Sequence, residues 1–173
     1  MKNGKYNLIE VDSNGKIFSG GLVNYATELD TAMVNYFSLT GTTIAISGVS
    51  DGESNYSKLS FATSLTNDNR FESSSTAEIT YKGDKTSAFF VNATISLSPA
   101  TSNDTFVFGF FLNGALVNQS RVIHHTHLNG EVTTTCLSVL MNLAYDDVIE
   151  VYVANTVGSD DIVIYSLTLT AHG

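Results

Sequence analysis

Three histidines within four residues are the first candidates for chemistry in this sequence. They lie in the segment His124-His-Thr-His127. Side chains two residues apart on an extended chain point to the same side, so the imidazoles of His125 and His127 could bind one metal ion. No fixed spacing identifies a further ligand. The segment can be read as a metal site or as an exposed loop that contains histidines, and the pattern favours the loop.

Paired aspartates precede two segments that resemble strands. Asp146 with Asp147, and Asp160 with Asp161, could offer oxygen ligands to Ca²⁺, but the ordered Asp-x-Asp-x-Asp-Gly pattern of a calcium loop is missing. Aspartate also favours turns, because its carboxylate accepts hydrogen bonds from nearby backbone N–H groups. The histidines lie in one segment rather than beside a marked nucleophile, and no glycine-rich phosphate loop occurs. We therefore expect no enzymatic activity and no cofactor.

The chain is short and acidic. It has 173 residues and a formal net charge of −9, from 8 Lys and Arg against 17 Asp and Glu. This length indicates one domain with a core that needs no disulfide, and the acidic balance disfavours nucleic acid as a partner. The single cysteine, Cys136, lies in an apolar run and is predicted to be a buried thiol. No signal peptide or apolar run of about 18 residues is visible, so we expect synthesis in the cytoplasm and no membrane partner.

Segments typical of β-strands dominate from Thr40 onward. Residues 105–112 are rich in aromatic and β-branched side chains, and Asn113-Gly114 follows them, which is a strong hairpin signal. Roughly eight to ten strands at spacings near 10 to 15 residues predict a β-sandwich or jelly roll. The last segment, 162–170, ends close to the C-terminus and is predicted to be central in its sheet.

Residues 1–35 have a different pattern. Residues 6–11 and 16–18, on either side of a turn, predict a small hairpin. Residues 22–37 form the one plausible helix, although their β-branched side chains fit an extended arm equally well. The segment is predicted either to anchor the chain on a larger assembly or to supply the first strands of the domain. The candidate anchoring residues are Tyr6, Leu8, Ile9, Ile17 and Phe18.

Aromatic side chains are more numerous than the inner face of one sheet can use. Phe89-Phe90 and Phe110-Phe111 each place one ring on either face of a strand. A sandwich buries only one face of each sheet, so the outward rings predict a second buried surface. In the alternative, the N-terminal segment covers some of these rings.

The order of elements in residues 75–173 resembles the trimeric jelly rolls of the tumour-necrosis-factor/C1q (TNF/C1q) type. The matching features are Asn113-Gly114 after an apolar strand, residues 143–148 before the strand at 150–153, and a last strand at 164–169. Many bacteriophage virion proteins, both head-decoration trimers and fibre tips, look similar. In this family, aromatic residues of the inner sheet meet at a three-fold axis. The resemblance therefore implies a homotrimer whose interface contains Phe90, Phe108, Phe110, Phe111, Tyr152 and Tyr165.

Together these observations predict an all-β jelly-roll sandwich at 36–173, preceded by an N-terminal arm at 1–35. We expect a homotrimeric virion protein that decorates or cements the outer face of a phage capsid, with the major capsid protein or another virion protein as its partner. The alternative is the receptor- or glycan-binding head of a fibre, which would use loops such as 66–76 and 124–131. Decoration is favoured because a fibre tip would need an upstream shaft. A soluble TNF/C1q-type ligand is disfavoured because no signal or collagen-like stalk is visible.

Overall fold

A computed structural model describes residues 9–11, 17–19, 31–66, 70–74 and 76–173, and for 9–11, 17–19 and 64–66 it describes the backbone alone. Within these residues the chain forms β-strands and two 3₁₀ helices, Glu53–Asn55 and Asn118–Ser120. The strands are β1 Ile9–Val11, β2 Ile17–Ser19, β3 Thr31–Ile44, β4 Ser57–Lys58, β5 Ser64–Thr66, β6 Phe71–Glu72, β7 Glu78–Tyr81, β8 Ser87–Pro99, β9 Thr105–Leu112, β10 Ala115–Leu116, β11 Val122–His125, β12 Thr133–Leu143, β13 Val148–Asn155 and β14 Ile162–His172. No helix in the described part of the chain has the length and apolar character that a membrane span requires.

The first of the two large sheets has five antiparallel strands in the order β12-β8-β14-β3-β5. The last strand, β14, lies between β8 and β3, as its sequence predicts. Of the two interpretations of 22–37, the extended segment is confirmed and the helix is wrong where they can be compared, because residues 31–37 belong to β3. Pairing with β14 joins residues 31–37 and 42–44 of β3 to the sheet. The sandwich therefore includes residues 31–35, which the sequence pattern assigns to the N-terminal arm.

The second large sheet has seven strands. Its main path is β10-β9-β13-β7-β6, while β11 pairs with β9 and β4 pairs with β13. The hairpin between β9 and β10 turns at Asn113 and Gly114, which have φ values of +53° and +78°. Positive φ at both central residues defines the type I′ turn predicted from the Asn-Gly pair.

The core lies between the two sheets. Alternate residues of β8, such as Phe89, Val91 and Ile95, point inward from the five-stranded sheet and are fully buried. From the seven-stranded sheet, Phe108 and Phe110 of β9 point into the same core. A sandwich of this size is stabilised mainly by such apolar burial, at about 25 cal/mol for each Å² removed from water.

A segment that we call the strap, residues 49–59, crosses the outer face of the seven-stranded sheet. At one end Val49 makes a parallel bridge with Asn155, and at the other the Leu59 N–H donates to the Val151 carbonyl at 2.9 Å. The Tyr56 ring of the strap lies 5.5 Å from the Phe111 ring. The strap thus covers aromatic side chains that point away from the main core.

The two N-terminal strands pair with each other. β1 and β2 form an antiparallel hairpin that aligns Ile9 with Ser19 and Val11 with Ile17, as the sequence predicts. Of the candidate anchoring residues, Tyr6 and Leu8 lie outside the described residues, and Ile9, Ile17 and Phe18 are placed by their backbone alone. Their role as an anchor remains a prediction.

Candidate subunit interface

The outer face of the five-stranded sheet is built from four strands without charged side chains. Not one residue of β3, β8, β12 and β14 is Asp, Glu, Lys or Arg, although the chain has 25 such residues, 8 basic and 17 acidic. The outer face of the seven-stranded sheet differs, since it carries an ion-paired cluster around Lys58. Among the described strands, acidic and basic side chains therefore occur on the seven-stranded sheet and not on these four strands.

Strand register arranges the outward residues of this uncharged face in rows. One end row aligns Leu140 of β12 with Phe90 of β8 and His172 of β14. Leu140 is 68% exposed and Phe90 is 49% exposed. Because Leu140 and Phe90 are adjacent, a partner that covered both would bury one continuous apolar area.

The middle rows of the uncharged face are polar and already bonded within the sheet. The Thr168 hydroxyl donates to the Asn35 side-chain oxygen at 3.1 Å, and the Thr94 hydroxyl lies 3.7 Å from the Cys136 sulfur. Hydrogen-bonded neutral groups cost far less to bury than charges do. The middle of the face can therefore be covered without leaving a buried charge.

At its other end the uncharged face carries a protruding bulge. Between the aligned pairs Phe37–Ser166 and Thr42–Ile164, the four residues 38–41 of β3 lie opposite the single residue Tyr165. Gly41 permits the bulge, because it has a φ of +73° and a Cβ there would lie 2.3 Å from a Val163 methyl group. The bulge leaves Phe37 and Leu39 exposed.

Two of the predicted interface residues lie on the uncharged face and two lie in the core. Phe90 points outward, and Tyr165 lies at the bulge with its hydroxyl 3.4 Å from that of Ser98. Phe108 and Phe110 have no exposed surface, because they share the inward face of β9 with Phe106. The prediction is wrong for Phe108 and Phe110, which have nothing left to contribute to a subunit contact.

The remaining two predicted residues lie on the opposite side of the sandwich. Phe111 and Tyr152 stack with ring centroids 4.0 Å apart on the outer face of the seven-stranded sheet. Phe111 is only 3% exposed, since the strap covers it. The number of outward aromatic side chains predicts a second buried surface. Such a surface exists at Phe111, but the strap of the same chain forms it.

Several exposed residues of the uncharged face were not identified from the sequence. Leu140 and Cys136 alternate along β12 with the inward-facing Leu137 and Met141. Cys136 is exposed, so the prediction of a buried thiol is wrong for a single chain. The signal was the alternation itself, since the polar residues Thr134, Ser138 and Asn142 share the outward face of β12 with Cys136 and Leu140.

The histidine segment begins inside a strand, whereas its polar sequence predicts a loop. His124 and His125 end β11, and both His125 and His127 are exposed. The His125 and His127 rings lie 4.7 Å apart, so the structure brings these two predicted metal ligands together. No group of three or more His, Cys, Asp or Glu side chains suited to a metal occurs in the described part of the chain.

The ion-paired cluster on the seven-stranded sheet joins three strands. Lys58 of β4 contacts Glu78 of β7 at 2.5 Å and Glu150 of β13 at 2.6 Å. Burial alone would raise the pKa of Glu78, but hydrogen bonds from Lys58 and Ser74 outweigh it and leave that pKa below its ordinary value. Burial likewise opposes the charge on Lys58, yet the two glutamates raise the pKa of its amine. The cluster holds the end of the strap against β7 and β13. Its three charged groups are paired with one another.

A polar cavity of about 500 Å³ opens among loops at one end of the sandwich. Three of the eight basic residues of the chain line it, namely Arg70, Lys82 and Lys85, together with Gly83, Asp84 and Ser87. Lys82 also forms ion pairs with Asp146 at 2.6 Å and with Glu72 at 3.4 Å. The cavity can offer both donors and acceptors to a polar ligand.

A serine within the strap has the spacing of a hydrolase nucleophile. Residues 48–52 read Gly-Val-Ser-Asp-Gly, which matches Gly-x-Ser-x-Gly, so the expectation that this motif is missing is wrong. That motif is catalytic at a strand-turn-helix corner beside a histidine. Here Ser50 Oγ accepts hydrogen bonds from the Asn55 side chain at 2.5 Å and from the Gly52 N–H at 3.2 Å. Ser50 thus closes a turn before a short 3₁₀ helix.

Sequence comparison gives no relative for this chain: no protein-family model matches it, and no curated protein does. Solved structures do match its fold. Eiger TNF from S. frugiperda is 9% identical with a TM-score of 0.55, over 84% of this chain and 93% of that one. Murine APRIL at pH 5.0 is 9% identical with a TM-score of 0.51, over 83% of this chain and 99% of that one. PRD1 vertex protein P5 is 15% identical over 83% and 96%, with a TM-score of 0.49 that is too low to support an inference. Identities this low bear on the fold alone, and the fold of this chain is a TNF-like jelly roll.

Proposed function

We propose that the chain is a structural protein that acts as a homotrimer, with the uncharged face as its subunit interface. The observation that carries this proposal is the complete lack of charged residues on four adjacent strands of a chain with net charge −9. Copies of an acidic chain repel each other least where no charge has to be brought close or buried. The exposed Leu140 and Phe90 supply apolar area for the contact. The TNF-like fold favours three copies rather than two.

Cys136 provides a direct test of this interface. Its thiol is exposed in one chain and lies in a middle row of the uncharged face, on the edge strand β12 beside Thr94. In the native assembly we expect slow reaction with a maleimide, and fast reaction after Leu140→Asp, which places a charge in the contact. The matched control is Val49→Asp, since Val49 is also exposed but lies on the strap. Fast labelling of the unmodified native protein would contradict the proposed interface.

For the biological role, we propose a virion protein that decorates or cements the outer face of a phage capsid. The support is the TNF-like fold, which phage virion trimers resemble, and an acidic surface that is unsuited to nucleic acid. Mass spectrometry of purified particles of the encoding virus should find the chain in multiples of three. Binding to particles that lack it should raise the temperature at which they release their genome. Particles without the chain, or unaltered by its addition, would contradict this role.

A second candidate is the receptor- or glycan-binding head of a fibre. The specific observation in its favour is the loop cavity, which gathers Arg70, Lys82 and Lys85 in an otherwise acidic chain. Lys85 and Arg70 are exposed, so a ligand with a carboxylate or sulfate group could reach them. A glycan array would distinguish the two roles, because Lys85→Ala should abolish glycan binding by a fibre head and leave capsid binding unchanged.

A further inference from the structure

We propose that His125 and His127 form a two-imidazole site for a divalent transition-metal ion, of which Zn²⁺, Ni²⁺ and Cu²⁺ are the candidates. This site lies at the end of the edge strand β11 and just beyond it, and it does not depend on the proposed function. The ions named are those that imidazole suits best.

The backbone between the two histidines is held in place. Thr126 is only 1% exposed, its N–H donates to the Asp104 carbonyl at 2.9 Å, and its hydroxyl donates to the same oxygen at 3.2 Å. On the N-terminal side, His125 pairs with Thr105 in the β11–β9 ladder. Because Thr126 faces inward, its two neighbours face solvent from a fixed strand. The backbone that carries the two imidazoles therefore does not have to be ordered when an ion binds.

The separation of the rings suits one ion between them. Their centroids lie 4.7 Å apart and the ring planes meet at 83°. Two imidazoles on one ion, with metal–nitrogen distances near 2.0–2.1 Å, place their centroids roughly 4.5–5.2 Å apart. The observed distance falls within this range, so binding requires rotation of side chains and no movement of the strand.

Thr105 orients one of the two ligands. Its hydroxyl lies 2.9 Å from Nδ1 of His125. When Nδ1–H donates to this hydroxyl, Nε2 is left unprotonated and directed at solvent, which is the form that binds a metal. Metal-binding histidines usually have such a partner on the second nitrogen, and its loss costs roughly ten- to a hundredfold in affinity. Thr105 is thus a positioning residue for the site.

The neighbouring His124 differs from both. Its Nε2 lies 2.8 Å from the Thr133 hydroxyl. The His124 ring lies on the opposite side of β11, where it contacts Thr133. Since the described residues provide no third ligand, water completes the coordination of the ion.

Isothermal titration of the full-length protein with ZnCl₂ and NiCl₂ at pH 7.5 tests the site. We expect one ion per chain, at least tenfold weaker binding for His125→Ala and for His127→Ala, and unchanged binding for His124→Gln. Thr105→Val should weaken binding roughly ten- to a hundredfold. Because His125 and His127 are exposed, their alanine variants should melt like the unmodified protein by circular dichroism.

Two results would overturn the proposal. The first is a protein that binds neither metal, or that binds it as tightly after both His125 and His127 are replaced. The second is unchanged affinity for Thr105→Val, which would remove Thr105 as a positioning residue and with it the argument that the site is preorganised.

Discussion

Replacing Leu140 by alanine should weaken the trimer without weakening the fold of each chain. Leu140 lies at one end of the uncharged face, is 68% exposed, and is aligned with Phe90 on the next strand. Exposed substitutions usually change the stability of a single chain by less than about 0.5 kcal/mol. The same side chain would be covered in each of three contacts of a symmetric trimer, so the effect on assembly is counted three times.

The magnitude follows from the exposed area. Full burial of a leucine side chain is worth about 1.5–3 kcal/mol, so covering the 68% that is exposed contributes about 1–2 kcal/mol in each subunit. Three copies contribute about 3–6 kcal/mol per trimer. At 1.4 kcal/mol for each factor of ten, Leu140→Ala should raise the dissociation constant of the trimer by about 10²–10⁴.

Sedimentation equilibrium over a range of protein concentrations measures this constant. Val49→Ala is the matched control, because Val49 is 55% exposed and lies on the strap over the opposite sheet. We expect the control to dissociate like the unmodified protein. Equal dissociation of the Leu140 variant and the unmodified protein would refute the reasoning, as would equal weakening by the Val49 control.

Three further substitutions test the core, the loops and the charged cluster. Phe110→Ala should lower the free energy of unfolding by about 3–5 kcal/mol in urea titrations, because the ring is fully buried; a loss below 1 kcal/mol would contradict its place in the core. Asn155→Ala should cost about 1–3 kcal/mol, since the buried amide accepts from the Val157 and Gly158 N–H groups; an unchanged melting temperature would contradict that role. Lys58→Met should remove stability that is present above about pH 4.5 and is lost as pH falls through the lowered pKa of Glu78. The difference in unfolding free energy between this variant and the unmodified protein should therefore shrink in acid. A difference that does not change with pH would count against the ion pair.

Local sequence patterns predict those strands and hairpins whose conformation is set by residues close together in the sequence. The type I′ turn at Asn113-Gly114 follows from the backbone preferences of these two residues. Strand β14 was predicted to be central, and it is. The helix predicted over 22–37 failed at residues 31–37, where pairing with β14 outweighed a weak helical pattern.

The candidate interface was harder to predict because it depends on which face of each strand is covered. Phe110 and Phe111 are neighbours of identical type, yet one lies between the sheets and the other beneath the strap. The contact between Leu59 and Val151 that fastens the strap joins residues far apart in sequence. The uncharged character of β3, β8, β12 and β14 was readable from the sequence, but only the sheet order shows that they are adjacent.

The mass of the full-length protein in solution tests the central claim most directly. Size-exclusion chromatography with light scattering should give three times the 18.6 kDa of one chain, at micromolar concentration and neutral pH. A mass of 18.6 kDa under these conditions would contradict the account, because Leu140, Phe90, Phe37 and Leu39 would then stand uncovered on a face without charge.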